Sequence, residues 1–302
     1  MRIFWRAIAI LVLLLGIVGG QTDTVFSRTQ VAVKEGVLLA AFGTSVPEAR
    51  VSFKALEEAF RKTLPETPIV WTYTSQIIRK KLQKRGEHIP GIAEALQMLS
   101  KEGVNVLRVQ PLHVMAGEEY SSLERAVLLA VQKHPKRFQA VYFGRPLLES
   151  REDAQVVGKA ILDHAATIRK PGEALVLMGH GQEHGRAGLA FEGVRRVFAE
   201  LDPLVFAATV EGERTFDDLL LELKKHKVEH VLLMPLMLVA GDHARNDLAG
   251  DEEDSWKSKL AAQGFSVRAS LEGLGSYPEV EGLYLRHARE SRDDLIKEPR
   301  KQ

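Results

Sequence analysis

From Gly36 onward, short apolar runs alternate with longer stretches whose apolar positions recur every three or four residues. The runs Val37–Phe42, Ile69–Tyr73, Val104–Val109, Gln139–Phe143, Ala174–Met178, Val205–Thr209, His230–Met234 and Ser266–Ala269 predict strands. Most are almost continuously apolar, the pattern of strands covered by helices on both faces. Helical periodicity between them predicts helices over Pro47–Leu64, Ser75–Arg85, Ile92–Lys101, Glu119–His134, Glu152–Ile168, Leu189–Leu201, Thr215–His226, Glu252–Gln263 and Glu279–Ile296. Such regular alternation argues for an α/β fold, its mostly parallel sheets flanked by helices. Ser45 ahead of Pro47 predicts a capped helix start. Thr215, with Asp217 and Asp218 in the following turn, predicts a second.

The pattern also repeats. VNVLRVQPLHVMAGEE at 104–119 aligns without a gap on VEHVLLMPLMLVAGDH at 228–243. Pro111, Leu112, Ala116 and Gly117 fall on Pro235, Leu236, Ala240 and Gly241, while Glu118 falls on Asp242 and Glu119 on His243. GVLLAAFG, ending at Gly43, similarly matches ALVLMGHG, ending at Gly181. Lys170-Pro171-Gly172 is a turn-rich joint just before the restart. The expected division is therefore into two similar domains, residues 29–172 and 173–302.

Residues 1–28 follow another rule. Arg2 and Arg6 precede the uncharged stretch Ala7–Val18, which matches a secretory h-region and is short for a membrane span. Val18 and Gly20 are small enough for a cleavage site, and Gln21 to Thr24 turn polar. This predicts an export signal with a short tail and a folded part outside the cytoplasm, in the periplasm; an uncleaved N-terminal anchor is the alternative. The chain of 302 residues has no cysteine, so disulfides are excluded and a metal site must use His, Asp or Glu. A hydrophobic content of 45% suffices for two cores, and a net charge of +1 gives no electrostatic case for nucleic acid.

Ligands of open α/β sheets bind beyond the carboxyl ends of the strands. Three predicted strands deliver His180, Glu211 and His243 to such ends, and two imidazoles with one carboxylate can bind a divalent first-row metal while leaving positions open. Gly179 and Gly181 flank His180, so the backbone can turn sharply there and a flat ligand can come close. His180-Gly-Gln-Glu-His184 spells H-x-x-E-H, a zinc-protease motif that needs a helix; with Gly179, Gly181 and Gly185 around it the match reads as accidental. His113, after Pro111-Leu112, reads equally as a cleft residue and as a structural one. Glu118 and Glu119 suit a helix start, and the acidic run Asp251–Asp254 reads first as a solvated loop. Thr44 and Ser45 offer hydroxyls to an anion, with Arg50, Arg79 and Lys80 nearby in sequence. No P-loop, dinucleotide G-x-G-x-x-G or G-x-S-x-G elbow occurs, which argues against nucleotide use and serine hydrolysis.

LLAAFGTS, WTYTSQIIRKKL, VQPLHVMAGEEY, LMGHG, Val210-Glu211-Gly212 and LMPLMLVAGDHARNDLAGDEEDSWKSKL together resemble the anaerobic sirohydrochlorin cobaltochelatases, class II chelatases related in fold to ferrochelatase. The resemblance runs from about Gly36 to Tyr284. It implies two chelatase-like domains with a tetrapyrrole cleft between them, and insertion of Co²⁺, or of Fe²⁺, into sirohydrochlorin without ATP. It implies His180, Glu211 and His243 as catalytic metal-binding residues, with Glu213 an alternative carboxylate. Thr44, Ser45, His113 and Glu118 are the expected substrate-binding residues on the opposite wall. The family works in the cytoplasm on cobalamin precursors, so an export signal departs from its pattern. An exported haem or metal-ion carrier on the same fold, with His113 as an axial ligand, is the competing reading. Whether the chain forms homo-oligomers is left open by the sequence.

Overall fold

The computed structural model describes residues 32–181, 187–291 and 294–297. The predicted export segment, residues 1–28, lies outside them, as do Glu183 and His184 of the H-x-x-E-H stretch. Residues Val33–Gln302 form one compact unit. Its strands are β1 (Glu35–Ala41), β2 (Ile69–Tyr73), β3 (Val106–Pro111), β4 (Ala140–Phe143), β5 (Ala174–Gly181), β6 (Val205–Glu211), β7 (His230–Pro235) and β8 (Ser266–Ala269). Its α-helices are α1 (Val51–Thr63), α2 (Gln76–Gln83), α3 (Ile92–Lys101), α4 (Glu118–Gln132), α5 (Arg151–Ala166), α6 (Ala187–Leu201), α7 (Phe216–Lys225), α8 (Trp256–Ala262) and α9 (Pro278–Glu290). None of the described helices is long and apolar enough to cross a membrane.

The strands form two four-stranded sheets ordered β2-β1-β3-β4 and β6-β5-β7-β8. Every pairing within them is parallel. The doubled sequence pattern is thus a doubled topology. In each sheet the order reverses beside the first strand, the switch point where α/β folds open a crevice.

Burial explains the near-continuous apolar strands. Val37, Leu39 and Ala41 of β1 face one core, while Leu38 and Ala40 face another. In β5, Leu175 and Leu177 join the first of these cores, whereas Val176 and Met178 face a third, beneath α7 and α8. The shared core lies between the sheets and includes Leu56 and Phe60 of α1, Val157 and Ile161 of α5, Phe198 of α6 and Tyr284 of α9. Helices cross between the halves to build it. A Cβ on Gly158 of α5 would collide with Phe198 and Leu201 of α6, so these two helices touch almost backbone to side chain. α9 returns to the first sheet, where Arg108 donates to the Ala288 carbonyl and Tyr284 to that of His113, each at 3.1 Å.

Several boundaries differ from the periodicity. β5 and β6 run on to Gly181 and Glu211, because parallel pairing continues through Gly179 with Thr209 and Gly181 with Glu211. The 252–263 helix starts only at Trp256, where the Ser255 hydroxyl accepts from the Ser258 amide and donates to the Gly250 carbonyl. The last helix stops at Glu290. Ser45 caps nothing: a 3₁₀ turn over Glu48–Arg50 leads into α1, and Ser45 is buried. At Thr215 the expectation holds, with the Asp218 carboxylate accepting from the Thr215 amide at 3.1 Å.

Candidate active site

β5 leads directly into His180 and Gly181, and both lie on the exposed rim of the second sheet. Gly181 adopts φ +77°, and a Cβ there would sit 1.8 Å from the Glu211 carbonyl oxygen. Only glycine lets the strand end lie flush against β6 and still turn away. That turn brings the Gly181 carbonyl to 3.1 Å from Nδ1 of His180. A carbonyl can only accept, so Nδ1 is the donor in this contact.

β7 adjoins β5 on the side away from β6 and delivers His243 through the loop 236–242. The His180 and His243 rings meet edge to face, with centroids 4.6 Å apart and planes at 88°. His243 opens a π-helical turn, Ala244–Leu248, and its Nδ1 lies 2.5 Å from Oδ2 of Asp247. Ala244 and Leu248 are buried beneath, whereas the His243 and Asp247 side chains are 47% and 40% exposed. The π-turn thus anchors itself through its apolar face and leaves its polar face open.

Glu211 occupies the rim on the other side of β5, paired in register with Gly181. Its side chain is exposed. Glu213 turns elsewhere, its carboxylate lying where a Cβ on Gly188 would meet it at 3.3 Å, at the start of α6. Among the described residues, no three His, Asp or Glu side chains converge closely enough to hold a metal ion. The structure therefore brings the two imidazoles together and leaves Glu211 at the rim beside them.

The first sheet supplies the opposite wall. Thr44 faces Gly241 of the second repeat copy, 3.5 Å from where a Cβ there would sit. The carboxylate that couples to His180 is Glu119, next to the expected Glu118 on α4. Partial desolvation, the largest cause, raises the Glu119 pKa; a 3.4 Å hydrogen bond from the Thr74 hydroxyl and the nearness of the His180 imidazole pull it back. Glu118 and Glu119 both lie exposed in the first turn of α4. The repeat alignment was the signal for Glu119, because it pairs this residue with His243.

The remaining expected substrate contacts lie deeper. Thr44 and Ser45 are each 4% exposed; the Thr44 hydroxyl accepts from the Val46 amide, and the Ser45 carbonyl takes a 2.7 Å bond from Arg85. Arg50 is paired with Glu87, and Arg79 donates to the Tyr73 and Thr74 carbonyls, so both guanidiniums are engaged within the protein. Both ring nitrogens of His113 are buried without a polar partner. Burial depresses its pKa to about 4. His113 packs edge-on against the Tyr120 ring, centroids 6.2 Å apart.

Paired parallel sheets with two imidazoles on one switch-point rim and a carboxylate facing them describe a chelatase-type protein. The fold matches the sirohydrochlorin chelatase SirB of Bacillus subtilis subspecies spizizenii, solved in complex with cobalt, with a TM-score of 0.58 at 15% identity over 85% of this chain and 95% of that one. CbiX, described as the terminal enzyme for siroheme biosynthesis in denitrifying bacteria, gives 0.54 at 20% identity over 85% and 100%. The chain belongs to the cobalt chelatase (CbiK) family, whose model matches residues 35–293. It is 35% identical over 254 residues to the sirohydrochlorin cobaltochelatase CbiKC of Nitratidesulfovibrio vulgaris, covering 84% of this chain and 89% of that protein. It is 32% identical over 268 residues to the sirohydrochlorin cobaltochelatase of Salmonella typhimurium, covering 88% and 99%.

Proposed function

We propose that this chain is a sirohydrochlorin cobaltochelatase that inserts Co²⁺ into the macrocycle without a nucleotide. The observation that carries this is the imidazole pair of His180 and His243, edge to face on one rim, with their Nδ1 atoms against the Gly181 carbonyl and the Asp247 carboxylate. Both metal and macrocycle are substrates. Two neutral imidazoles hold a divalent ion while leaving positions open for pyrrole nitrogens, and a transfer site requires that incompleteness because the ion must leave. Glu211, exposed on the adjacent strand end, is the further donor we propose once the ion is bound.

Insertion releases two pyrrole N–H protons for each Co²⁺ that enters, so bases are needed on the macrocycle. Glu119 is suited to accept one, because its raised pKa brings it closer to neutrality than an ordinary carboxylate. Glu211 is placed to help with the other. The ring lies between the two rims, metal on the imidazole side and a proton acceptor opposite. Arg2 and Arg6 and the apolar stretch that follows support export, so the site of action we propose is the periplasm.

The direct test is spectrophotometric. Mature protein is mixed with sirohydrochlorin and Co²⁺, Fe²⁺ or Ni²⁺, and each metallated product is followed against a protein-free control. Co²⁺ insertion should be accelerated, and His180→Ala and His243→Ala should each lower that rate by about 100-fold or more. Full rates in both variants would sink the site assignment. N-terminal sequencing of protein recovered from the periplasm tests export, a start at Met1 counting against cleavage.

A further inference from the structure

We propose that Asp247 is a positioning residue for this reaction. It holds the His243 imidazole in the tautomer that keeps Nε2 unprotonated and available to the metal. The inference rests on His243 being a metal-handling residue. Asp247 contacts His243 through Oδ2 at 2.5 Å, and a carboxylate has only lone pairs to offer, so the shared proton belongs to Nδ1.

The need for such a residue follows from the surroundings. The backbone under the pair is well anchored: Ala244 and Leu248 are fully buried, Arg245 donates its amide to the Gly241 carbonyl and Gly250 to that of Asn246, each at 3.1 Å. The His243 ring itself stands about half exposed, with the edge of His180 as its ring neighbour. A free neutral imidazole in water prefers its proton on Nε2, which would direct an N–H where the metal needs a lone pair. Asp247 reverses that preference, and its charge makes the ring a stronger donor.

His180 offers an internal contrast. Its Nδ1 acceptor is the Gly181 carbonyl, fixed by a backbone that no side-chain change can remove. One imidazole is thus set by the main chain. The other depends on a single side chain four residues on, where substitution can reach it without disturbing the fold.

The test uses ¹⁵N-labelled full-length mature protein, with His243→Ala to assign the resonance. Long-range ¹H–¹⁵N spectra without metal report the tautomer, Co²⁺ titration gives affinity, and metallation kinetics separate kcat from the KM for sirohydrochlorin. In wild type, His243 should be the Nδ1–H form. Asp247→Ala should move it toward Nε2–H and weaken Co²⁺ affinity about 10- to 100-fold. It should leave the sirohydrochlorin KM unchanged. Asp247→Asn, whose amide oxygen can still accept from Nδ1, should recover part of the loss. An unchanged tautomer in Asp247→Ala overturns the proposal, as does a changed tautomer with unchanged Co²⁺ affinity. If His243→Ala itself binds Co²⁺ and turns over like wild type, the underlying metal role fails instead, and the spectra keep the two failures apart.

Discussion

The two sheets share strand order, parallel pairing and a glycine turn at the end of the leading strand, yet their rims carry different chemistry. Gly43 and Gly181 both have positive φ, +100° and +77°. Phe42 stands before the first and His180 before the second, both exposed. Continued two residues past Ala41 and Tyr73, the β1–β2 register sets Ser75 opposite Gly43, where Glu211 stands opposite Gly181. Glu119 matches His243 through the repeat alignment. One scaffold thus presents phenylalanine, serine and glutamate on one wall and histidine, glutamate and histidine on the other. The metal-handling role we propose falls on side chains that the fold displays at its rim. A pair of like rims can therefore divide the work, one taking the ion and the other the ring and its protons.

The sharpest way to break this division is at Glu119. Glu119→Gln keeps the shape and the Thr74 contact but removes the base, and should lower Co²⁺ insertion by about 100-fold or more. Glu118→Gln, one residue away on the exposed start of α4, should stay close to wild type. Steady-state metallation at saturating Co²⁺ measures both. Equal losses would mean that the two carboxylates act only through the charge at the start of α4, and the first wall would have no base of its own.

His113 separates the halves in a different currency. Its counterpart in the second copy is Met237, which packs against an apolar core. Burial holds His113 neutral, with a pKa of about 4 against ~6.5 for an unfolded histidine. As pH falls below ~6.5 the unfolded chain takes up this proton first, so stability declines across the window and the contribution is gone below about 4. The whole window corresponds to about 3 kcal/mol. His113→Met, copying the other half, should flatten that part of the profile. Denaturant unfolding at pH 7.5 and 4.5 checks this, because carboxylates common to both proteins cancel in the difference. A slope unchanged by the substitution would place the proton uptake elsewhere.

Legibility followed the same split. The strands and their parallel pairing were readable because apolar runs and strand ends depend on local pattern. The repeat was readable because duplicated loops kept Pro-Leu and Ala-Gly at fixed spacing. His180 and His243 were found at strand ends, and the structure brings their rings together. Glu119 was read only as a helix-start residue beside the expected Glu118, since a helix start explains either and only the fold shows the coupling of Glu119 to His180. Thr44, Ser45 and Arg50 looked available because hydroxyls and guanidiniums usually lie on surfaces. Here they are buried or bound to groups distant in sequence, such as Arg50 to Glu87 and Arg85 to Ser45. The exchange of α5 and α9 between the halves leaves no periodic trace, because a buried helical face looks the same whichever sheet it covers.

The smallest expected effect lies at Phe42. Phe42 is 49% exposed at its strand end, and Ile77, at the start of α2, is 80% exposed. The Ser75 amide donates to the Phe42 carbonyl at 3.2 Å, which ties that strand end to the segment leading into α2. If the first wall receives the ring, Phe42 is its stacking surface, opposite the proposed metal contact at His180. Aromatic stacking of this kind is worth about 0.5–1.5 kcal/mol, so Phe42→Ala should raise the KM for sirohydrochlorin by up to about tenfold. kcat and Co²⁺ affinity should stay as in wild type, because nothing on the imidazole rim has changed. A fall in Co²⁺ affinity instead would show that the two rims are not independent, and that the metal wall leans on the aromatic one.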